Sequence, residues 1–384
     1  MTTRTTRRWA APLLALAAVA GVSTIPRLIS SASADTPNLP AITPAELIAK
    51  AESAQVTALS GTIVLTSDLG LPSLGALGAL GGGGASSSLA SLLSGDHTAR
   101  VWIDGPEHVR LATLAPMAET NWIRNGQDLW SYDSTTLTAT HVTLPTGTPD
   151  GTGTDATPDD PARGRPDQLA QRLLDAVTPS TQVSVDSNAR VAGRAVYRLV
   201  LRPNDAHSTV GEATISVDAE TGLPLQVALT SRDSGSTALR LGFSAISFST
   251  PSASEFAFSA PPGATVIEAT DPTALLAAGA DPHTNERRHG RRPGIAATVE
   301  GPAPASTARP TLLGHDWLSA VLLAPSSMSD QLSRVLSGSP EVTVGTTHGR
   351  VLTTTLFTVL VLDDGRIAIG AVDTETLVAL VATA

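Results

Sequence analysis

The sequence predicts an α+β fold, an antiparallel β-sheet with helices crossing one face, followed by a small C-terminal α+β module. Three observations predict it. Short segments in which apolar and polar side chains alternate recur between residues 61 and 248, separated by turn signals such as Gly105-Pro106, Asn125-Gly126 and Thr221-Gly222. Two segments of helical spacing, 43–58 and 167–177, interrupt this series in the order strand, strand, helix, strand, strand. A stretch rich in Ala, Pro, Gly and Arg over 269–310 then sets residues 311–384 apart.

Taken in order, Arg4, Arg7 and Arg8 precede the apolar run Trp9 to Ile25, and Ala32-Ser33-Ala34 stands before Asp35. These are the three parts of an export signal, so residues 1–34 are expected to be a signal peptide or an N-terminal anchor. The location follows: extracytoplasmic, either in the cell envelope or secreted. The apolar run falls short of the roughly 20 residues of a comfortable membrane span, which favours removal. No cysteine occurs, so an exported chain has neither a lipobox nor a disulfide and depends on its core.

Thr43-Pro44-Ala45-Glu46 has the form of a helix start, with Thr43 as cap, Pro44 in the first turn and Glu46 closing a capping box, and a helix to about Ala58 is expected. Strands are expected at 61–66, 98–104, 108–114, 120–124, 128–132 and 139–144. Asn125-Gly126 joins two of them, because both residues tolerate positive φ. Between the first two strands, residues 69–95 are almost wholly Gly, Leu, Ala and Ser. No Gly-Lys-Ser/Thr follows, so this is no phosphate loop. It reads either as a floppy insertion or as a mobile apolar flap carrying Leu71, Leu74, Leu77 and Leu80. Residues 146–166 form a Gly-, Pro-, Thr- and Asp-rich loop. The helix at 167–177 comes next, then strands at 182–186, 194–202 and 210–218.

The segment from Thr214 to Phe258 is the most legible. It reads as a strand, a polar turn at Asp218 to Pro224, a second strand with Leu225, Val227 and Leu229, and a third with Leu239, Leu241 and Phe243 that ends in Glu255-Phe256-Ala257-Phe258. The third strand changes phase around Ser244-Ala245, the mark of a bulge. In the C-terminal module, 317–323 and 329–336 look helical, and 351–362 with 366–372 form a hairpin around Asp363-Asp364-Gly365.

Val217-Asp218-Ala219-Glu220-Thr221-Gly222-Leu223-Pro224-Leu225, followed by a long strand, by Phe256-x-Phe258 and by Pro261-Pro262-Gly263-Ala264, resembles the C-terminal half of the LolA-like lipoprotein-carrier family, whose relatives include RseB and the mycobacterial LppX and LprG. The likeness covers 41–268. It implies an unclosed antiparallel β half-barrel packed on helices, with a cavity that accommodates lipid and no catalytic group.

The residues themselves exclude most other chemistry. A formal charge of −10 argues against nucleic acid as a partner. The basic cluster Arg287-Arg288-His289-Gly290-Arg291-Arg292 lies in the linker and reads as a solvated run or a contact with anionic headgroups at a membrane surface. No nucleophile elbow, zinc motif or dinucleotide fingerprint occurs, the eight histidines are scattered, and the paired aspartates fall in turns. No enzyme, cofactor or metal site is expected.

What remains is apolar surface. With aromatics at only 3%, a strongly curved sheet cannot fill its own concavity. Trp102, Leu111, Trp122, Trp130, Tyr132, Leu199, Leu201, Leu241 and Phe243 are the candidate lining, with Met117 at the rim as an adaptable contact. The plain alternative is that these side chains seal the sheet against its helices. Two functions follow: a carrier that shelters the acyl chains of a lipid or lipoprotein, or an RseB-like regulator in which the detached module helps bind a membrane anti-sigma factor.

Overall fold

The computed structural model describes residues 37–70, 95–115, 117–144, 170–171, 174–175, 177–270, 310–323, 336 and 338–384. The export segment, the leucines of the expected flap, the loop at 146–166 and nearly all of the linker lie outside them.

Twelve strands build the first sheet: β1 (Ala58–Ser67), β2 (His97–Asp104), β3 (His108–Ala115), β4 (Ala118–Asn125), β5 (Asp128–Asp133), β6 (Thr138–Thr143), β7 (Thr181–Val191), β8 (Arg194–Pro203), β9 (Val210–Asp218), β10 (Pro224–Ser231), β11 (Thr237–Ser247) and β12 (Thr265–Ala269). They lie in the order β12-β6-β5-β4-β3-β2-β1-β11-β10-β9-β8-β7, so among the described residues β12 and β7 are the edges and the sheet is unclosed. Every pairing is antiparallel except β12 with β6. Asn125 and Asp128 close the β4–β5 hairpin, with Gly126 at φ 62°.

The bulge forecast near Ser244 is present. Thr62 pairs with Ala245 and Ile63 with Phe243, leaving Ser244 unmatched. Gly61 makes room beside it, since a Cβ there would meet the Phe243 ring at 2.8 Å and the Ala245 carbonyl oxygen at 2.7 Å. Phe243 therefore packs with Leu59, Ile63, Ala99, Val101, Val191, Val196 and Leu225 in one core.

Helix α1 (Pro44–Glu52) starts as its residues foretell. The Thr43 hydroxyl accepts the Glu46 amide at 3.3 Å, and the Glu46 carboxylate accepts the Thr43 amide at 2.7 Å. It ends at Glu52 rather than Ala58, because Ala58 and Leu59 are taken into the ladder opposite Asp104 and Ile103. Leu47 and Ile48 pack with Tyr197, Leu199, Val217 and Ala170 in a second core. Ala170, Gln171, Leu174, Asp175 and Val177 are helical, within the helix expected at 167–177.

The turn from Asp218 to Pro224 anchors this layer. Arg194 Nε donates to Asp218 Oδ1 at 2.6 Å and Nη2 to Oδ2 at 2.9 Å, and the Thr221 amide and hydroxyl each donate to Asp218 Oδ2 at 2.8 Å. Gly222, at φ 78°, lies under the end of α1, where a Cβ would meet the Lys50 carbonyl oxygen at 2.6 Å.

One expected strand is corrected. β11 stops at Ser247, and Ala253–Glu255 is a single 3-10 turn, so Glu255 to Phe258 is not strand. Pro251 has no amide to give to a ladder, and the Ser252 hydroxyl accepts the Ser254 amide, which starts the turn. Residues 248–264 instead form a strap that leads to β12.

A second sheet has the order β13-β14-β18-β17-β16-β15, from β13 (Thr311–Leu313), β14 (Ala320–Leu323), β15 (Glu341–Val344), β16 (Thr347–Thr353), β17 (Thr358–Leu362) and β18 (Ile367–Gly370). The hairpin around Asp363 to Arg366 is β17–β18. The expected strand 351–362 breaks at Thr354–Phe357, where the Thr354 amide donates to the Phe357 carbonyl. The expected helix at 317–323 is a 3-10 turn over Asp316–Leu318 followed by β14, whose Val321 and Leu323 pair with Ile369 and Ile367. Of 329–336 only Leu336 is described, and it is helical. Helix α2 (Thr374–Ala382), capped by Asp373, packs Leu377 and Val381 on this sheet.

The second sheet docks on the first. Leu356 joins Leu69, Val210 and Ala238 in a shared core; the Thr355 amide donates to the Leu69 carbonyl at 3.0 Å, and Trp317 Nε1 donates to the Thr181 hydroxyl at 2.7 Å.

Candidate functional site

Strand register assigns each side chain of β2–β5 to a face, because neighbours opposite one another across a ladder point the same way. Trp102 lies opposite Arg110, Arg110 opposite Ile123, and Ile123 opposite Trp130, so these four share a face; Asn121 and Tyr132 share it too. Val101, Leu111 and Trp122 form the matching row on the other face, as do Ile103, Val109, Arg124 and Leu129. The ten candidate residues therefore do not line one hollow. Trp102, Trp130 and Tyr132 are turned away from Leu111 and Trp122, a correction that the two-residue period imposes.

The strap covers the first of these faces. Phe258 stands 5.1 Å from the Trp130 ring and 5.7 Å from Tyr132, and Phe256 lies 5.6 Å from the His108 ring and is 2% exposed. Arg110 ties the strap down, donating from Nη1 to the Glu255 carbonyl at 3.1 Å and from Nε to Asn121 Oδ1 at 3.0 Å, while its guanidinium sits 5.3 Å over Trp102. Ala112, Asn121, Ile123, Tyr132 and Ala139 are buried. On β6, one strand in from the edge, His141 stacks on Trp130 at 4.1 Å. Burial lowers the proton affinity of His141, but hydrogen bonds to Asp128 and Glu268 outweigh it and leave the pKa above the ordinary histidine value.

The second face mixes buried and half-buried positions, as the first does: Val101 and Val142 are buried there, and on the first face Trp102 and Trp130 are half-buried. Ile103, Val109, Leu111, Trp122 and Leu129 are all half-buried, an apolar strip across four strands. Leu111 and Leu241 border the core around Phe243, while Leu199 and Leu201 belong to the core beneath α1. Phe243 and Leu199 are thus packing residues, whereas Leu111 and Trp122 keep free surface. Met117 is fully exposed in the β3–β4 turn at φ 60°, so it sits on the surface and touches neither core. A separate cavity of about 480 Å³ opens between the first turn of α1 and β7, lined by Thr43, Gln171, Asp175, Thr181, Gln182 and Asn204 among others. None of the ten candidates lines it.

Sequence reasoning missed Ile103, Val109 and Leu129 on the half-open strip and the role of Phe256 and Phe258. A signal for the strip was available. With Asn125-Gly126 as the turn, Arg124 pairs with Leu129 and Trp122 with Ser131, so Trp122 and Trp130 have opposite parity.

The described residues thus form an unclosed antiparallel sheet of half-barrel type, with the strap across one face of β2–β5 and an apolar strip on the other. Solved structures similar to this chain include the Pseudomonas aeruginosa MucA/MucB complex, at 16% identity and a TM-score of 0.37, covering 88% of this chain and 95% of that one. A LolA superfamily protein from Nitrosomonas europaea is similar at 12% identity and a TM-score of 0.21, covering 57% of this chain and 99% of that one. A conserved protein from Thermus thermophilus is similar at 11% identity and a TM-score of 0.30, covering 58% and 98%. No family model and no curated protein matches the chain.

Proposed function

We propose that the protein is an exported, non-enzymatic carrier that shelters the acyl chains of a lipid or lipoprotein on the half-open face of β2–β5. The observation that carries this reading is an apolar strip that the protein's own packing does not fully cover: Ile103, Val109, Leu111, Trp122 and Leu129 stay half-buried, whereas Val101 and Val142 in the same rows are buried. Such a strip accepts hydrocarbon without needing hydrogen bonds, and each methylene taken from water contributes about 0.8 kcal/mol. Leu111 and Trp122 form its floor, with Leu241 at its border. A lipid leaves the membrane surface and returns to it by partition, with no bond made or broken.

A second reading is favoured by the docked second sheet. The shared core around Leu356 and Leu69 holds two sheets side by side, an arrangement suited to an RseB-like regulator that binds a membrane anti-sigma factor. Native mass spectrometry of the protein purified from its producing host separates the two. Co-purified lipid at one-to-one stoichiometry supports the carrier; an empty protein that captures a membrane partner overturns it in favour of the regulator.

A further inference from the structure

We propose that β12 is a pH-gated edge strand, clamped by the doubly protonated ring of His141 and loosened when that ring becomes neutral. The geometry points to this at the outer edge of the first sheet. β12 has five residues, four of them exposed, and Val266 and Ile267 turn 45% and 42% of their surface to solvent. Among the described residues its one partner strand is β6, along a parallel ladder in which Glu268 lies beside His141. So short a strand at an open edge gains little from burial.

The side chains add the missing hold. His141 Nδ1 lies 2.8 Å from Glu268 Oε2, and Nε2 lies 3.0 Å from Asp128 Oδ1, so the imidazole bridges β12 to β5 across β6. The charged groups that face it are Asp128 from β5 and Glu268 from β12, while its flat side rests on Trp130 and, through Trp130, on Phe258 of the strap. Ionised carboxylates only accept hydrogen bonds, and a neutral imidazole has one N–H to give. Both contacts are satisfied at once only by the imidazolium, whose charge the indole face also favours.

The sign follows from the raised pKa of His141. The clasp is complete below the ordinary histidine value of about 6.5 and is lost as pH rises through the raised folded value. On deprotonation one carboxylate loses its donor, β12 frays from β6, and the strap is freed at its C-terminal end, next to Phe258. The protein then presents an unpaired β6 edge at alkaline pH and a covered one in mild acid.

Hydrogen exchange of the full chain at pH 5.5 and 8.5, corrected for the intrinsic chemistry of exchange, tests this. Protection of the amides at 265–269 is expected to fall about tenfold between the two, the effect of one charge-assisted bond, while β8 and β9 amides keep theirs. In His141→Gln the β12 amides are expected to be weakly protected at both pH values. Glu268→Gln, at an exposed position that cannot endanger folding, is expected to shrink the fall in the same way. A wild-type β12 whose protection ignores pH overturns the proposal, as does a full tenfold fall that survives in either variant.

Discussion

Phe258 stands 5.1 Å from Trp130, ring to ring, on the face of the sheet opposite Leu111 and Trp122. That contact divides β2–β5 into a face the strap covers in part and a face that runs from the core around Phe243, through Val101, to the half-buried Leu111 and Trp122.

Truncation separates the two sides. Phe256, a strap residue 2% exposed, is expected to cost about 3–5 kcal/mol on substitution by Ala, whereas Leu111→Ala on the half-buried strip costs nearer 1 kcal/mol. Urea denaturation of the two variants reads the difference directly. Similar losses in both contradict the assignment of faces.

Asp218 is the carboxylate on which the β9–β10 turn rests. Burial would raise its pKa, but the Arg194 bonds and those from the Thr221 amide and hydroxyl outweigh burial and hold it below the ordinary aspartate range. A depressed folded pKa contributes stability that is complete above the unfolded value, about 3.9, and is lost as pH falls through the folded one. Asp218→Asn is expected to remove roughly 3 kcal/mol at neutral pH, because it leaves Arg194 without its buried partner. The variant's stability then falls less steeply than the wild type's below pH 4, measured by thermal unfolding across a pH series.

The docking of the second sheet rests on Leu356, which is 0% exposed among Leu69, Val210 and Ala238. Leu356→Ala is expected to cost about 2–5 kcal/mol and to split a single unfolding transition into two. Trp317, bonded to Thr181 across the same junction, reports the first of them by its fluorescence.

Gly61 is the position where the bulge and the aromatic core meet. A methyl group there meets the Phe243 ring at 2.8 Å, so Gly61→Ala is expected to destabilise by about 1–3 kcal/mol, and Phe243→Leu in the same chain recovers part of the loss. Calorimetry of the single and double variants checks the coupling.

Much of this arrangement was legible in the residues. The capping box at Thr43, the Asn125-Gly126 hairpin and the phase change at Ser244 each carry a local signature, and each is where it was expected. The strap was not, because Phe256-Ala257-Phe258 alternates like a strand and only tertiary contact with Trp130 and His108 decides otherwise. Trp317 to Leu323 is a short apolar run that periodicity cannot assign; pairing with β18 makes its second half a strand. Helix α2 went unread, although Asp373 caps it by accepting the Thr376 amide at 2.8 Å and Glu375 lies in its first turn. The list of cavity residues mixed two faces because it counted aromatics without counting parity from the turn.

The central claim is that acyl chains bind the face that carries Trp122 and not the one that carries Trp130. Two single-tryptophan versions of the full chain, one keeping Trp122 and the other Trp130, with the remaining tryptophans changed to Phe, are titrated with a fatty acid bearing a nitroxide on its chain. Quenching that saturates at Trp122 while Trp130 keeps its emission is the result expected; quenching of Trp130 alone, of both equally, or of neither contradicts it.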